Sequence, residues 1–448
     1  MAAIDAWGKI PNGILSGSFS SLGSYDQCLE GNVNQYCLMF LNMPLGPAIR
    51  FSGVFRRYNE AHFNFTTETF KWFAQYANSF SGNNLTIGMC LPSSCSRHEI
   101  LSIATEMLRS HGLPFHVDVD LCQSRTGPRI VHLREVVSLA IILAIIMFNV
   151  YGNLVPKSSS IALFSFTGNV RKIFLTKRDA KMSPFLDGIK TLSMVLIIFG
   201  HCVVTMIPAL YDNNFVIETF IHEPGIYLAH LTPFAIETFF LVTGYEIMGY
   251  FMRSKHELKV LPYLLVRWLR FIPTIGWFIC LYILTFSDHV RRWIGGPFWH
   301  YYEAAGSHSE TCGRMWLSHI LMIAHYFYWR PDTNTCLLAD WYLEADYLFS
   351  ILFLIVLIPF ARQRQTIAVF NCLALILIGS TAIVMVAYLF DVQTTWIPFS
   401  FRNVDFARYL AFLHGKPWGH LSSYFVGVGL AMFISRANHK LSQVSHAS

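Results

Sequence analysis

Lys190 and His201 stand eleven residues apart in an apolar stretch running from Leu186 through Met194 and Ile197. At 100° per residue, eleven steps return both side chains to within about 20° of one helical face, about 16 Å apart along the axis. That face joins a cation at headgroup level to an imidazole at membrane depth, where an ionisable group is costly unless it lines a cavity or has a partner. A histidine so placed is suited to general-base chemistry; the plainer role is a hydrogen bond to a neighbouring helix, and this helix alone does not separate the two. Glu237, within Ala235-Ile236-Glu237-Thr238-Phe239-Phe240 and six residues before Thr243, is a carboxylate among phenylalanines that must be protonated or paired. His201, one helix earlier, is a suitable partner for catalysis or for a structural helix-to-helix pair.

Arg267 and Arg270 lie near one end of another apolar stretch. Snorkelling to lipid phosphates is their ordinary role, and holding the phosphates of a cytosolic cofactor together with Lys190 is the sharper one. Asp346, in Trp341-Tyr342-Leu343-Glu344-Ala345-Asp346, opens a further stretch and reads as a solvated interfacial acid.

The elements that must carry these groups follow from composition. With 54% hydrophobic, 15% aromatic and only 13% charged residues, the chain departs from soluble proteins, whose charged share is about 25%. It reads as an all-α polytopic membrane protein. The net charge of +6 is not gathered into a basic, aromatic-interleaved stretch, so nucleic acid is not an expected partner.

Residues 1–130 form a separate unit of mixed composition. Cys28, Cys37, Cys90, Cys95 and Cys122 lie there, and Cys312 and Cys336 share a later loop; both groups read as disulfides formed in an oxidising compartment. Cys202, Cys280 and Cys372, inside apolar segments, read as small buried hydrophobes. No cysteine pair has zinc spacing with histidines to match, so no metal is expected. The sequons at Asn64 and Asn84 agree with a non-cytosolic side and are the candidate glycosylation sites. Ser96-Arg97-His98-Glu99 is a capping box opening a helix striped by Ile100, Ile103, Ala104, Met107 and Leu108, and residues 66–78 carry a second helical pattern. Cys90 and Cys95 flank a turn that a local disulfide could close. The unit is therefore expected to be a small, disulfide-braced, mostly helical domain. The start of the chain lacks a signal sequence, and five cysteines leave one unpaired; a missing true N-terminus would explain both.

Residues 131–448 are expected to form the membrane domain, with spans at about 136–152, 187–207, 226–250, 260–286, 341–360, 366–390 and 421–435. Lys157, Arg171, Lys172, Lys177, Arg178 and Lys181, then Arg253, Lys255 and Lys259, then Arg362 and Arg364, then Arg436 and Lys440 fall on one side. That is the positive-inside pattern, and it puts the N-terminal domain, the Cys312/Cys336 loop and residues 391–420 outside the cytosol. A multi-pass protein of the plasma membrane or an endomembrane follows, with the bilayer as partner. Met315 to Trp329, broken by His319 and His325, reads as an interfacial or re-entrant segment.

These stretches, in this order, resemble the nose-resistant-to-fluoxetine family, in which a cysteine-rich domain precedes an acyltransferase-3 membrane domain. The resemblance rests on Gly8 to Gly17, Tyr25 to Leu29, Tyr36-Cys37 and Cys90 to Cys95 in the first domain. In the second it rests on Leu186-Asp187-Gly188 to His201, Glu237 to Phe240 with Thr243-Gly244, Arg267 to Pro273, and Trp341-Tyr342-Leu343 with Asp346. It implies an enzyme taking an acyl group from cytosolic acyl-CoA to an unknown hydroxyl acceptor in or across the membrane. His201 would be the catalytic residue, Glu237 its orienting acid, and Asp187, Thr243 and Asp346 supporting residues. Lys190 stands where the family has arginine, keeping the charge and losing the planar fork. The serine and the usual aspartate of the family are Thr243 and Glu237 here. Family members continue with further membrane helices, so the chain is expected to be a fragment at both ends. The rival readings are a non-enzymatic carrier of lipids or apolar xenobiotics, in which His201 and Glu237 form a structural or proton-coupling pair, and a seven-helix receptor, which explains neither Glu237 nor the motifs.

Overall fold

The computed structural model describes residues 2–9, 12–13, 18–30, 33–42, 85–113, 115–125, 130–175, 184–206, 223–253, 260–297, 299, 309–327, 336–337, 339–358, 364–392 and 408–447. The helix expected at residues 66–78 and the acceptor asparagines of both sequons, Asn64 and Asn84, lie outside the described residues.

Among its described residues the N-terminal unit is not helical in the main. It is built on a four-stranded sheet in the order β1-β3-β2-β4, formed by β1 (Ser20–Ser21), β2 (Asn34–Asn42), β3 (Leu85–Pro92) and β4 (His116–Ser124), with α1 (Tyr25–Glu30) and α2 (Arg97–Ser110) packed on it. The central β2 runs antiparallel to both β3 and β4. Both of its faces are covered: Tyr36, Leu38 and Phe40 pack with Cys28 and Leu29 of α1, while Cys37 and Leu41 pack with Val117, Val119 and Ile100 of α2. A strand buried on both faces reads as a continuous apolar run with no alternation. The capping box of α2 is present, with Ser96 N donating to Glu99 Oε2 at 2.8 Å and Glu99 N to Ser96 Oγ at 3.3 Å.

Disulfides join Cys28 to Cys90, Cys37 to Cys122 and Cys312 to Cys336. The local Cys90–Cys95 bridge is not formed, because Cys90 is taken by α1, and Cys95 is a free thiol.

Among the described residues, four helices are long and apolar enough to cross a membrane: α3 (Leu133–Leu154), α5 (Pro184–Met206, qualifying over Phe185–Val203), α7 (Val260–Thr285) and α11 (Gln365–Phe390). A short α4 (Phe166–Ile173) lies between the first two. At the three other expected positions stand α6 (Thr232–Arg253), α10 (Trp341–Leu352, continued by a π-helical turn at Phe353–Leu357) and α12 (Leu421–Ala447). These three are the interior of the bundle. Phe240 and Met248 of α6, Phe349 of α10, Phe353 of its π turn, and Tyr424, Phe425 and Val428 of α12 form its fully buried centre. Helices that others shield can carry polar groups, which is why they are less uniformly apolar than those on the outside. Two glycines bring α6 and α12 into backbone contact: a Cβ on Gly244 would stand 2.0 Å from the Tyr424 carbonyl oxygen, and one on Gly427 would stand 1.9 Å from that of Leu241.

The segment expected to lie at the interface is instead divided between the end of α8 (Ser309–Ile320) and α9 (Ala324–Phe327), with Met322 at φ 58° between them. Both of its histidines are buried. With Ile275, Ile279 and Ile283 of α7 this region makes a second core that includes the Cys312–Cys336 bridge.

Candidate functional site

The flank of α5 that meets α6 carries the first candidates. Gly200 allows the approach, since a Cβ there would stand 1.9 Å from Thr232 Oγ1, and Thr232 Oγ1 donates to the Leu196 carbonyl at 3.3 Å. His201 is thereby held level with the first turn of α6, about one turn before Glu237. Its Nδ1 lies 2.8 Å from the Ile197 carbonyl oxygen. A carbonyl only accepts, so Nδ1 carries the proton and Nε2 is the basic nitrogen. At the other end of the same helix pair, Lys190 Nζ donates to both carboxylate oxygens of Glu246, at 2.7 and 2.8 Å. Asp187 is in the first turn of α5, where its carbonyl accepts from Thr191 Oγ1 at 2.8 Å.

Glu237, expected to orient His201, is hydrogen-bonded to His420, with Oε1 2.5 Å from Nδ1. The physical reason is the loop before α12, which carries His420 onto the start of α6. His420 is buried, stacked on Phe240 and Trp341 with ring centroids 5.0 and 4.8 Å away. Its Nε2 lies 2.8 Å from the His414 carbonyl oxygen. The His414 ring packs 4.6 Å from Trp341 and 5.9 Å from His420. Burial, with His420 and His201 near by, pulls the His414 imidazole down to about 3. Glu237, His420, His414 and His201 thus form one polar group on an aromatic floor. His414 and His420 were missed in the sequence; the signal was two histidines six residues apart, directly before an apolar helix.

Arg267 and Asp346 were expected at opposite ends of the membrane, and the structure brings them together. The Arg267 guanidinium pairs with the Asp346 carboxylate and donates to Tyr263 Oη at 3.1 Å. Their side chains are 18% and 4% exposed, so Asp346 is no solvated interfacial acid and Arg267 does not stand at a surface. Each lies more than a turn inside its helix, α7 or α10. Arg270 is exposed on α7. Thr243 faces the Tyr342 hydroxyl.

A second polar cluster lies where α8, α9 and the start of α10 converge. His319, His325, Asp340 and Glu344 are all buried and each offers one metal-ligating atom, these atoms lying within 4.8 Å of one another. The Glu344 carboxylate accepts from the Ala324 and His325 amides at 3.0 and 2.9 Å, anchoring α9 to α10. Lys416, also buried, donates to the His325 carbonyl; burial pushes its ammonium down to about 8 against the opposing pull of Glu344.

Residues 1–104 match the model of the nose resistant-to-fluoxetine protein N-terminal domain, and residues 183–445 match that of the acyltransferase domain. The chain is similar to nose resistant to fluoxetine protein 6 of Caenorhabditis elegans, 24% identical over 416 residues that cover 78% of this chain and 47% of the relative. It therefore spans about half the length of that curated relative. No solved structure matches it.

Proposed function

The chain belongs to the acyltransferase family whose domain it carries at residues 183–445, behind a nose-resistant-to-fluoxetine N-terminal domain, and from that premise we propose that it transfers acyl groups within a multi-pass membrane domain. The donor in this reading is acyl-CoA from the cytosolic side and the acceptor is a hydroxyl. The observation that carries it is the contact of His201 Nδ1 with the Ile197 carbonyl. With Nδ1 donating to the Ile197 carbonyl, the basic Nε2 belongs to an exposed ring beside the polar group of Glu237, His420 and His414.

His201 Nε2 takes the proton of the acceptor hydroxyl as its oxygen attacks the thioester carbonyl. The new C–O bond forms, the C–S bond breaks, and the imidazolium returns the proton to the departing CoA sulfur, which leaves as the thiol. The phosphates of the donor fall to Lys190 and the exposed Arg270, because Arg267 is committed to Asp346 and Tyr263. Glu237 acts one step back: it fixes His420, which with Trp341 and Phe240 forms the rigid wall facing the reacting atoms.

The test is turnover of radiolabelled acyl-CoA by the full-length protein in liposomes. The reading expects acylated product from the native protein and a fall to background in His201→Ala, with melting temperature unchanged because the His201 ring is exposed. Full turnover in that variant would remove His201 from the reaction. Lipid transfer without any acylated product would turn the assignment to a carrier.

A further inference from the structure

We infer that His319, His325, Asp340 and Glu344 bind one zinc ion, a site separate from the acyl-transfer machinery. The four residues come from three short elements: the last turn of α8, α9, and the residue before and first turn of α10. Asp340 and Glu344 are four apart, one helical turn, so both carboxylates point to the same side. Asp340 occupies the cap position of α10 without using its side chain as a cap; the carboxylate is turned to the histidines instead.

Burial makes the arrangement expensive without an occupant. His319, Glu344, Asp340 and His325 are 0%, 2%, 6% and 8% exposed. His319 Nε2, both ring nitrogens of His325 and Asp340 Oδ1 are buried with no hydrogen-bond partner. Each such atom costs about 1–3 kcal/mol. Lys416 lies beside Glu344, and a divalent cation held by neutral imidazoles would balance the remaining carboxylate charge.

The geometry separates ligands from an ordinary ion pair. His325 Nδ1 is 3.2 Å from Asp340 Oδ1 and 3.4 Å from Glu344 Oε1, yet hydrogen-bonds to neither. Atoms that close without a hydrogen bond between them leave a place for one ion that both could ligate. The edge of a tetrahedron with metal–ligand bonds of 2.0–2.1 Å is about 3.3 Å, which is the spacing found. His319 Nδ1, at 2.5 Å from Asp340 Oδ2, is the one contact already closed as a hydrogen bond. His319 Nδ1 is therefore the nitrogen that faces the cluster, and as a metal ligand it would exchange its contact with Asp340 for the ion.

Two imidazoles and two carboxylates are a borderline-to-hard donor set with no thiolate, which suits zinc and disfavours copper(I). Four protein ligands close a tetrahedral site and give it a structural role. The Cys312–Cys336 bridge ties the same two segments, seven residues before His319 and four before Asp340. Zinc would complete that staple and fix the start of α10, which carries Trp341, Tyr342 and Asp346.

The experiment is metal analysis of the full-length, disulfide-intact protein purified in detergent after growth with zinc. It expects one zinc per chain, retained on size exclusion, and a content lower by at least about tenfold in Asp340→Asn and His325→Gln. Those two near-isosteric variants are used because His319→Ala opens a cavity and could fail to fold. Chelator-stripped protein given cobalt(II) should develop the visible absorption of a tetrahedral site, absent in Asp340→Asn, and zinc should raise the melting temperature of stripped protein. Metal-free native protein whose melting temperature does not respond to added zinc overturns the site. So does a metal content that the two variants leave unchanged.

Discussion

Glu237 Oε1 lies 2.5 Å from His420 Nδ1, and the other nitrogen of that imidazole faces a carbonyl oxygen that can only accept. His420 Nε2 must therefore carry a proton. The short contact at Nδ1 then requires one further proton, on Nδ1 or on the carboxyl, since two lone pairs would repel. The pair is neutral overall in either form, which is how a carboxylate is accommodated among phenylalanines. Glu237→Gln can donate its amide to Nδ1 and should leave the melting temperature nearly unchanged. Glu237→Ala leaves Nδ1 buried without its partner and should cost about 1–3 kcal/mol by denaturant titration in detergent. Equal losses in both variants would show that the interaction depends on charge.

The part of this site readable in the sequence was the part set by a single helix. Lys190 and His201 share a face because eleven residues close three turns, and Glu237 stands out because a carboxylate among phenylalanines has no cheap alternative. Their partners come from elsewhere. His420 is 183 residues beyond Glu237, in a loop whose histidines look solvated when read alone, and Glu246 resembles an ordinary helix-end acid. The Arg267–Asp346 pair was obscured because each residue was assigned to the nearest membrane surface, whereas both sit more than a turn inside their helices. In the first domain β2 hid behind its own burial. β4 did not: Val117 and Val119 are buried between exposed His116 and Asp118, an alternation that marks a strand.

Arg267 and Asp346 form an ion pair with almost no access to water, and the attraction between them offsets a large desolvation cost. Removing one charge strands the other. Arg267→Met and Asp346→Leu should each destabilise the protein by about 3–5 kcal/mol. The double variant should recover most of that loss, because the apolar surroundings of α7 and α10 tolerate a neutral pair better than a single charge. Additive losses in the double-mutant cycle would show that the two side chains act independently.

Lys190 presents the opposite case. Its pair with Glu246 is one-third to two-fifths exposed, so the contribution to stability is at most about 1 kcal/mol. Its importance is competitive, because an ammonium shared with Glu246 is less available to a phosphate. Glu246→Gln should therefore tighten CoA binding several-fold with little change in melting temperature, while Lys190→Met should weaken it. Both effects should shrink as salt is raised. Isothermal titration with CoA reads this directly, and unchanged affinity in both variants would separate Lys190 from the donor site.

His414 ties the acidity of the medium to stability. Its folded value, pulled down to about 3 by burial and then by His420 and His201, lies below the ordinary 6.5 of the unfolded chain. Above 6.5 neither state is protonated and the full contribution of the neutral ring is present. As pH falls below 6.5 the unfolded chain takes up a proton that the folded protein refuses, so stability declines until about pH 3, with a limiting slope of one proton, about 1.4 kcal/mol per pH unit. His414→Gln keeps a polar side chain and removes the titration. Denaturant midpoints compared at neutral pH and at about pH 5 should drop further in the native protein than in the variant. The difference between the two drops reports the titration of His414 together with its coupling to His420 and His201. Parallel drops would mean that the ring is protonated in place, with its charge taken up inside the group of Glu237, His420 and His201.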